Sequence, residues 1–307
     1  LAEDRGRFSE ICRELKFKIP ASGMAGSFFE AEKIGQRIGY PMICRPSYVL
    51  GGRRMEVVEN ADELRSYFER HSEAIKPGAP ALMDQFLAGA LEVDVDLVRG
   101  VDWLVVGGIV EHIEAAGIHS GDSMGVIPPQ RLKDETCAKI EALSCQLAER
   151  LNTVGHLNLQ LAVVNDEIFM LEANPRSSRS VPFISKATRI PLVDLGILAM
   201  LGRQRAEVQP ERYRWDSIQG VSVKGVVFPF KKFPEADSIL GPEMKSTGES
   251  MGRGHDYSEA LLKASTGSHI HLPSHGEVFL SLRDKDKQSM LPLVKKLIDM
   301  GTIRKLT

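Results

Sequence analysis

The stretch HLNLQLAVVNDEIFMLEANPRSSR at residues 156–179 contains two runs of alternating side chains separated by a short polar loop. Residues 156–164 and 168–173 predict two β-strands, and Ile168, Met170 and Glu172 are expected on one face of the second. A three-residue loop at 165–167 would join the strands as a hairpin, with Val164 opposite Ile168. Counting back from this pair puts Gln160 opposite Glu172. Side chains opposed in this way have Cβ atoms about 5 Å apart, so their oxygens can converge on one cation.

The hairpin carries residue types that bind Mg²⁺ and phosphate. Glu172, Asn174 and Gln160 supply oxygen atoms, and Mg²⁺ takes one or two carboxylates together with substrate phosphates. Glu172 ends an apolar strand, where an unpaired carboxylate would be costly to bury, so a cation or the arginines that follow would offset its charge. Arg176 and Arg179 suit contacts with a transferring phosphoryl group or an anionic acceptor. The alternatives are a polar hairpin face and a surface ion pair.

Hydrophobic periodicity outside the hairpin predicts interleaved helices and strands. Helices are expected at 1–19, 27–38, 61–71, 133–151, 191–202 and 287–299. Strands are expected at 41–45, 54–59, 80–87, 91–98, 103–109, 221–228 and 277–283. Loops are expected at 46–52, at 117–129 and between 173 and 191, with a polar connector at 203–220 and a Gly/Pro-punctuated segment up to 254. Ser27 and Glu30 have the spacing of a capping box. The mixture predicts an α+β fold rather than a doubly wound parallel sheet.

Composition limits the classes of function. The 307 residues include 39 Lys and Arg against 41 Asp and Glu, a net charge of -2 that argues against a nucleic-acid-binding surface. No apolar run approaches the length of a membrane span, and no secretory signal is visible. Cys12, Cys44, Cys137 and Cys145 form no CxxC pair, which favours reduced thiols in a cytoplasmic protein. The chain begins at Leu1 and ends abruptly, so we expect both ends to be cuts through a longer polypeptide.

Several blocks of sequence, in order, resemble the ATP-grasp domains of the carbamoyl phosphate synthetase large subunit. They are RPSYVLGG (45–52), EVDVD (92–96), EHIE (111–114), GIHSGDS (117–123), EANPRSSRS (172–180) and VPFISKAT (181–188). The resemblance runs from about residue 3 to residue 254 and more weakly to the end. In this family, the first half of the large subunit phosphorylates bicarbonate and the second half phosphorylates carbamate. RRME at 53–56 and the segments 228–234 and 241–249 resemble the second half.

The resemblance implies an ATP-grasp fold, in which two α+β subdomains clasp ATP. The ATP-grasp domain would occupy 1–205, with subdomains at about 20–90 and 91–205. A connector and ATP-grasp tail segment would follow at 206–270. Residues 271–307 would be the truncated start of a C-terminal allosteric, methylglyoxal-synthase-like α/β domain.

The resemblance also implies roles for individual residues. Metal contacts are implied for Gln160, Glu172 and Asn174, and catalytic contacts with phosphate or acceptor for Arg176 and Arg179. Nucleotide contacts are implied for Arg45, Gln85, Leu87, Glu92, Gly117, Ile118, His119, Ser120, Gln160 and Glu172. Without the resemblance, Glu92, Asp94 and Asp96 would be interpreted as a solvated strand face, His119 as an ordinary loop histidine, and the glycine pair at 51–52 as a simple turn.

The activity implied is phosphorylation of carbamate to carbamoyl phosphate, which requires ATP and Mg²⁺ (or Mn²⁺). It would form part of the glutamine- or ammonia-dependent synthesis of carbamoyl phosphate for the pyrimidine and arginine pathways. The partners implied are a glutaminase small subunit and the N-terminal half of the large subunit, and a homo-oligomer is compatible with the resemblance. Two alternatives stay open: another ATP-grasp carboxylate-amine ligase, and a non-catalytic fragment that binds nucleotide.

Overall fold

A computed structural model of the chain describes residues 5–47, 54–230, 232–233, 235, 237–270, 278–282 and 284–299. The chain forms two compact units, residues 1–269 and residues 270–307. The predicted glycine turn at 51–52 lies outside the described residues. None of the described helices combines the length and the apolar composition needed to cross a lipid bilayer.

The first unit contains helices and antiparallel strands, so the α+β prediction is confirmed. The strands are β1 (Ser22–Ala25), β2 (Met42–Pro46), β3 (Glu56–Val58), β4 (Ala81–Gln85), β5 (Leu91–Arg99), β6 (Leu104–His112), β7 (Gly125–Ile127), β8 (Gly155–Val164), β9 (Glu167–Asn174), β10 (Val221–Val227) and β11 (Gly248–Gly254). The helices are α1 (Arg5–Glu14), α2 (Phe28–Ile38), α3 (Ala61–Arg70), α4 (Asp134–Leu151), α5 (Ser180–Thr188), α6 (Leu192–Met200), α7 (Arg205–Val208) and α8 (Tyr257–Gly267).

A small four-stranded sheet has the order β1-β4-β2-β3, and α2 and α3 pack on it. Its core includes Met42 and Met83 from the strands and Leu64 and Tyr67 from α3. α2 begins where predicted, because the Ser27 side chain accepts a hydrogen bond from a backbone N–H in the first turn. This sheet positions the end of β2 and the chain that leaves β4.

A larger sheet has seven antiparallel strands in the order β11-β10-β7-β6-β5-β8-β9. Its central strands and the helices α1, α4, α5 and α6 bury one continuous apolar core. α8 packs over β7 and β10 through a separate small cluster. The two strands after residue 220 are therefore part of this sheet.

The sequence prediction missed six strands and helices of the first unit, including β1 and α7, which no predicted element covers. β7 lies in the expected loop 117–129, α5 lies in the expected loop before 191, and β11 and α8 were not predicted. The glycines of β11 obscured this strand in the sequence pattern. In the structure they allow α8 to approach β11 closely. A Cβ at Gly252 would lie 2.1 Å from the Ala260 carbonyl oxygen, so only glycine fits this contact.

The second unit contains one described helix, α9 (Asp284–Asp299), which includes the predicted helix 287–299. The strand predicted at 277–283 is wrong for its described part, because residues 278–282 have no regular secondary structure. In the described part of the chain these residues have no strand partner, and an unpaired strand leaves its backbone groups without hydrogen bonds.

Candidate functional site

The hairpin at the centre of the site has a tighter turn than predicted. Asn165 and Asp166 alone form the loop, and both have left-handed backbone conformations, with φ of 51° and 65°. Asn and Asp tolerate this conformation, which two-residue hairpin turns of type I′ require. Val164 therefore pairs with Glu167 rather than with Ile168, and the three-residue loop is wrong.

A β-bulge restores the predicted pairing further along the hairpin. Leu161 pairs with Met170, whereas Gln160 pairs with Glu172, so Leu171 is an extra residue in β9. The bulge shifts the register by one and brings Glu172 to the face of Gln160. The predicted Gln160–Glu172 pairing is confirmed. Met170 and Glu172 do not share a face, because they oppose consecutive residues of β8.

Three neighbouring strands, β5, β8 and β9, carry two parallel rows of polar side chains. The rows are Asp94–Gln160–Glu172 and Asp96–Asn158–Asn174, each joining directly opposed residues. Asp94 and Asp96 of β5 are 3% and 1% exposed, so a solvated strand face is the wrong interpretation for these two residues. On β9, Glu172 is exposed and Asn174 is half-buried. The rows therefore run from buried carboxylates on β5 to more accessible side-chain oxygen atoms on β9.

Glu172 differs from the sequence expectation in its surroundings. Because its carboxylate is exposed, it does not carry the desolvation cost that was expected of it. Among the described residues, neither Arg176 nor Arg179 forms an ion pair with it. Arg176 donates to the Ser177 carbonyl oxygen at 3.2 Å, and Arg179 lies at the start of α5.

A buried histidine neutralises part of the negative charge on β5. The His112 Nε2 atom lies 3.0 Å from Asp94 Oδ2, and its Nδ1 atom lies 3.5 Å from Glu92 Oε2. Burial alone would lower the pKa of His112, but Asp94 and Glu92 outweigh burial and raise it to about 9. Burial would raise the pKa of Asp94, but His112, Lys224 and His119 together outweigh burial and lower that pKa. The pair is therefore charged at neutral pH.

The loop after β6 brings four predicted nucleotide-binding residues, 117–120, beside these rows. The Gly117 N–H donates to Glu92 Oε1 at 3.0 Å, and Gln160 Nε2 donates to Ser120 Oγ at 3.0 Å. Gly117 has φ of 92°, which favours glycine. Ile118 lies between the two anchored ends. The predicted residues Glu92, Gly117, Ser120 and Gln160 are thus held together by hydrogen bonds.

His119 has a defined tautomer. Its Nδ1 atom accepts a hydrogen bond from the Gly121 N–H at 3.0 Å, so the neutral ring carries its proton on Nε2. Burial lowers the pKa of His119, and the charge of Arg179 lowers it further, against the opposing effect of Asp122. The neutral ring offers a hydrogen-bond donor, as contact with a phosphate oxygen requires.

A cleft of about 270 Å³ separates β2 of the small sheet from β9 of the large one. Arg45, Glu172 and Asn174 all line it, so the structure brings these three predicted residues together. Arg45 Nε is buried and has no hydrogen-bond partner within the described part of the protein. A guanidinium donor in this position fits an anionic ligand such as a phosphate.

Two predicted residues lie where the chain passes from the small sheet to the large one. Gln85 ends β4, and its side-chain oxygen is 3.5 Å from the Ala21 N–H. The Leu87 carbonyl oxygen accepts from the Ala90 N–H at 3.1 Å in the turn before β5. Neither residue contacts the two polar rows through a hydrogen bond of the described structure.

Arg179 contacts a segment that the sequence prediction did not connect with the site. Its Nη1 atom lies 2.8 Å from the sulfur of Met244. Asp122, in the loop after β6, holds the same segment, because its carboxylate accepts from the N–H groups of Lys245 and Ser246, both at 2.8 Å. Residues 241–246 therefore lie across the loop that carries His119.

Sequence reasoning missed Lys224 and Asn158. Lys224 is 2% exposed on β10, and its Nζ atom donates to the Ser120 carbonyl oxygen at 3.1 Å. Asn158 lies two positions before Gln160 on the same face of β8. A lysine inside the apolar run VSVKGVV, and an amide in alternation with Gln160, were the available signals.

Two facing sheets with a charged cleft between them are the architecture of the ATP-grasp fold. This fold defines the class of protein. A biotin carboxylase β-γ-ATP complex from Campylobacter jejuni has a TM-score of 0.69 at 15% identity, and covers 87% of this chain and 66% of that one. A biotin carboxylase domain of 2-oxoglutarate carboxylase from Hydrogenobacter thermophilus, in complex with MgADP, ADP and bicarbonate, has a TM-score of 0.67 at 16% identity, with 87% and 65% covered. The predicted ATP-grasp fold is confirmed.

Sequence comparison identifies the family within this class. The family described as carbamoyl-phosphate synthase L chain, ATP binding domain, matches residues 4–206, and the chain belongs to it. The carbamoyl phosphate synthase large chain of Methanoculleus marisnigri is 46% identical over 305 residues, which is 98% of this chain. The match covers 28% of that relative, so the chain spans just over a quarter of its length.

Proposed function

We propose that this chain is the carbamate-phosphorylating ATP-grasp half of a carbamoyl phosphate synthase large chain. It transfers the γ-phosphoryl group of ATP to carbamate with Mg²⁺. The observation that carries the proposal is the pairing of Gln160 with Glu172, next to Asn174 and across the cleft from Arg45. The resemblance of 53–56 and 228–234 to the second half favours carbamate over bicarbonate as the acceptor.

The donor set fits a hard divalent cation. Glu172 offers a carboxylate, and Gln160 donates its amide nitrogen to Ser120, which leaves its carbonyl oxygen for a ligand. Asn174 lies beside them in the cleft. Glu172, Gln160 and Asn174 would hold Mg²⁺, which when bound would supply positive charge to offset that of the transferring group; Mn²⁺ accepts the same oxygen ligands. The MgADP bound to the carboxylase of similar fold supports this assignment.

The protein's own residues position the reactants. Arg45 and the Nε2–H of His119 hold phosphate oxygens, while Arg176 and Arg179 face the transferring group or the acceptor. A carbamate oxygen forms a bond to the γ-phosphorus as the bond from this phosphorus to the bridging oxygen of ADP breaks. Carbamate is already an anion, so no side chain needs to remove a proton. Catalysis then comes from orientation and charge neutralisation.

Formation of ATP from ADP and carbamoyl phosphate tests the proposal. The wild-type chain should catalyse it with Mg²⁺, and Glu172→Ala should abolish it. Glu167→Ala is the matched control, because it removes an exposed carboxylate of the same strand that pairs with Lys18. Another carboxylate-amine ligase would not form ATP from carbamoyl phosphate. A nucleotide-binding fragment would bind ATP and Mg²⁺ in calorimetry without turnover. Activity that survives in Glu172→Ala would refute the metal assignment.

The remaining assignments are extensions of the same proposal. Ammonia would come from a glutaminase subunit through the N-terminal half of the large chain. The carbamoyl phosphate formed would serve the pyrimidine and arginine pathways. A homo-oligomer is compatible with this role. The four free cysteines support a cytoplasmic location. We propose residues 1–205 as the ATP-grasp domain, 206–270 as its tail, and 271–307 as the start of an allosteric domain. Pull-down of this chain with a glutaminase subunit tests whether the two proteins bind each other.

A further inference from the structure

A chain of hydrogen bonds leads from the interior of the large sheet to a proposed metal ligand. Asp96 Oδ2 accepts from Asn158 Nδ2 at 3.3 Å, and Asn158 Oδ1 faces Asn174 Nδ2 at 3.5 Å. The three residues are directly opposed on β5, β8 and β9. Asp96 is 1% exposed and does not line the cleft, whereas Asn174 does.

The polarity of this chain follows from its buried end. An ionised carboxylate only accepts hydrogen bonds, so the atom of Asn158 that faces Asp96 must be its amide nitrogen. The carbonyl oxygen of Asn158 then faces Asn174 and accepts from the nitrogen of that amide. As a result, the carbonyl oxygen of Asn174 points away from this row of hydrogen bonds.

We propose that Asp96 is a positioning residue that acts through Asn158 to turn the Asn174 oxygen toward the cation. The inference rests on the proposed function, because it takes Asn174 as a metal ligand. An Asn side chain has an oxygen that binds cations and a nitrogen that does not, and the two ends have nearly the same shape. A fixed acceptor at the far end of the row removes this ambiguity. Outer partners of this kind orient metal ligands in many proteins.

Three variants of the full 307-residue chain separate polarity from charge. Asp96→Asn lets either end of the Asn158 amide face residue 96. Asn158→Leu keeps the Asp96 charge but breaks the row with a side chain of similar volume. The double variant Asp96→Asn, Asn158→Asp moves the acceptor by one strand, so the amide of residue 96 donates to the new carboxylate and Asn174 still donates to it. The double variant should therefore recover the orientation that each single change loses.

The measurement is Mn²⁺ binding to the ADP complex by electron paramagnetic resonance, beside calorimetry of ADP binding without metal. Burial raises the pKa of Asp96 to about 7, so the work is done at about pH 8, where the carboxylate is ionised. Both single variants should weaken Mn²⁺ binding by roughly 10- to 100-fold, the usual effect of losing such a partner. Affinity for metal-free ADP should stay within about twofold of the wild type, since the row orients only the metal ligand.

Glu111→Gln is the control, because Glu111 is also 1% exposed in this sheet but lies opposite Val93, on the other face from Asp96. It should leave Mn²⁺ affinity unchanged. Wild-type Mn²⁺ affinity in either single variant, equal weakening in Glu111→Gln, or no recovery in the double variant would overturn the positioning role. Absence of Mn²⁺ binding by the wild-type ADP complex would instead refute the proposed metal site, and the positioning role with it.

Discussion

Asp94→Asn should remove a part of the stability that depends on pH. Asp94 and His112 form a buried pair, with 3.0 Å between carboxylate oxygen and ring nitrogen. The pKa of His112 is raised from 6.5 to about 9, because Asp94 and Glu92 outweigh the opposing effect of burial. The folded protein therefore holds this proton more tightly than the unfolded chain. The stabilisation that this proton contributes is fully present below about pH 6.5 and is lost as the pH rises through about 9.

The size of the effect follows from the two pKa values of His112. A change from 6.5 to about 9, at about 1.4 kcal/mol per pH unit, corresponds to about 3 kcal/mol. Urea unfolding of wild type and Asp94→Asn across about pH 6 to 10 measures the difference in free energy of unfolding. That difference should shrink by about 3 kcal/mol over this range. Asn keeps the shape of Asp and can still accept from the neutral ring.

Glu111→Gln provides the control for this titration. Glu111 pairs with Arg131 at 2.6 Å, and a guanidinium does not lose its proton in this range. The destabilisation in Glu111→Gln should therefore stay constant with pH. A constant difference between wild type and Asp94→Asn, or the same slope in Glu111→Gln, would refute the assignment of a charged Asp94–His112 pair.

Two further substitutions test the part of the chain after residue 220. Gly252→Ala should destabilise the protein by about 1–3 kcal/mol in thermal unfolding, because the new Cβ would lie 2.1 Å from the Ala260 carbonyl oxygen; Gly241→Ala, which meets nothing within 4 Å, should be neutral. Asp122→Asn should raise hydrogen exchange at the backbone amides of 245–246 and cost about 1–3 kcal/mol, because one donor there loses its acceptor. Unchanged exchange at these two amides would show that Asp122 does not hold the segment.

The hairpin shows how sequence reasoning reached a correct pairing by an incorrect route. Alternation of apolar and polar residues identified both strands, but it contains no signal for a bulge. Asn165 and Asp166 could have indicated a two-residue turn, since both tolerate positive φ. With that turn and no bulge, Glu172 would have been placed opposite Leu159, on the wrong face. The extra residue Leu171 corrects the register, and only the paired strands reveal it.

The burial of the β5 carboxylates could also not be predicted from the sequence pattern. Alternation correctly put Asp94 and Asp96 on one face, but a period of two does not say which face meets water. The structure shows that this face is covered, because Asp94 and Asp96 are 3% and 1% exposed. α5 was missed for a different reason: its first turn contains Ser180 and Pro182 and lacks a side-chain cap, so it resembled a loop.

Lys224 connects the site to a segment outside the family match at 4–206. A nearly inaccessible ammonium group requires compensation, and it finds this at the Ser120 carbonyl oxygen and at Glu249, 3.9 Å away. Its charge also lowers the pKa of Asp94, after the larger effects of burial and His112. The loop that carries His119 is therefore fixed partly by β10, which also pairs with β7. A chain ending near residue 206 would keep every predicted ligand of ATP and metal, yet lose the cation that holds their loop in place.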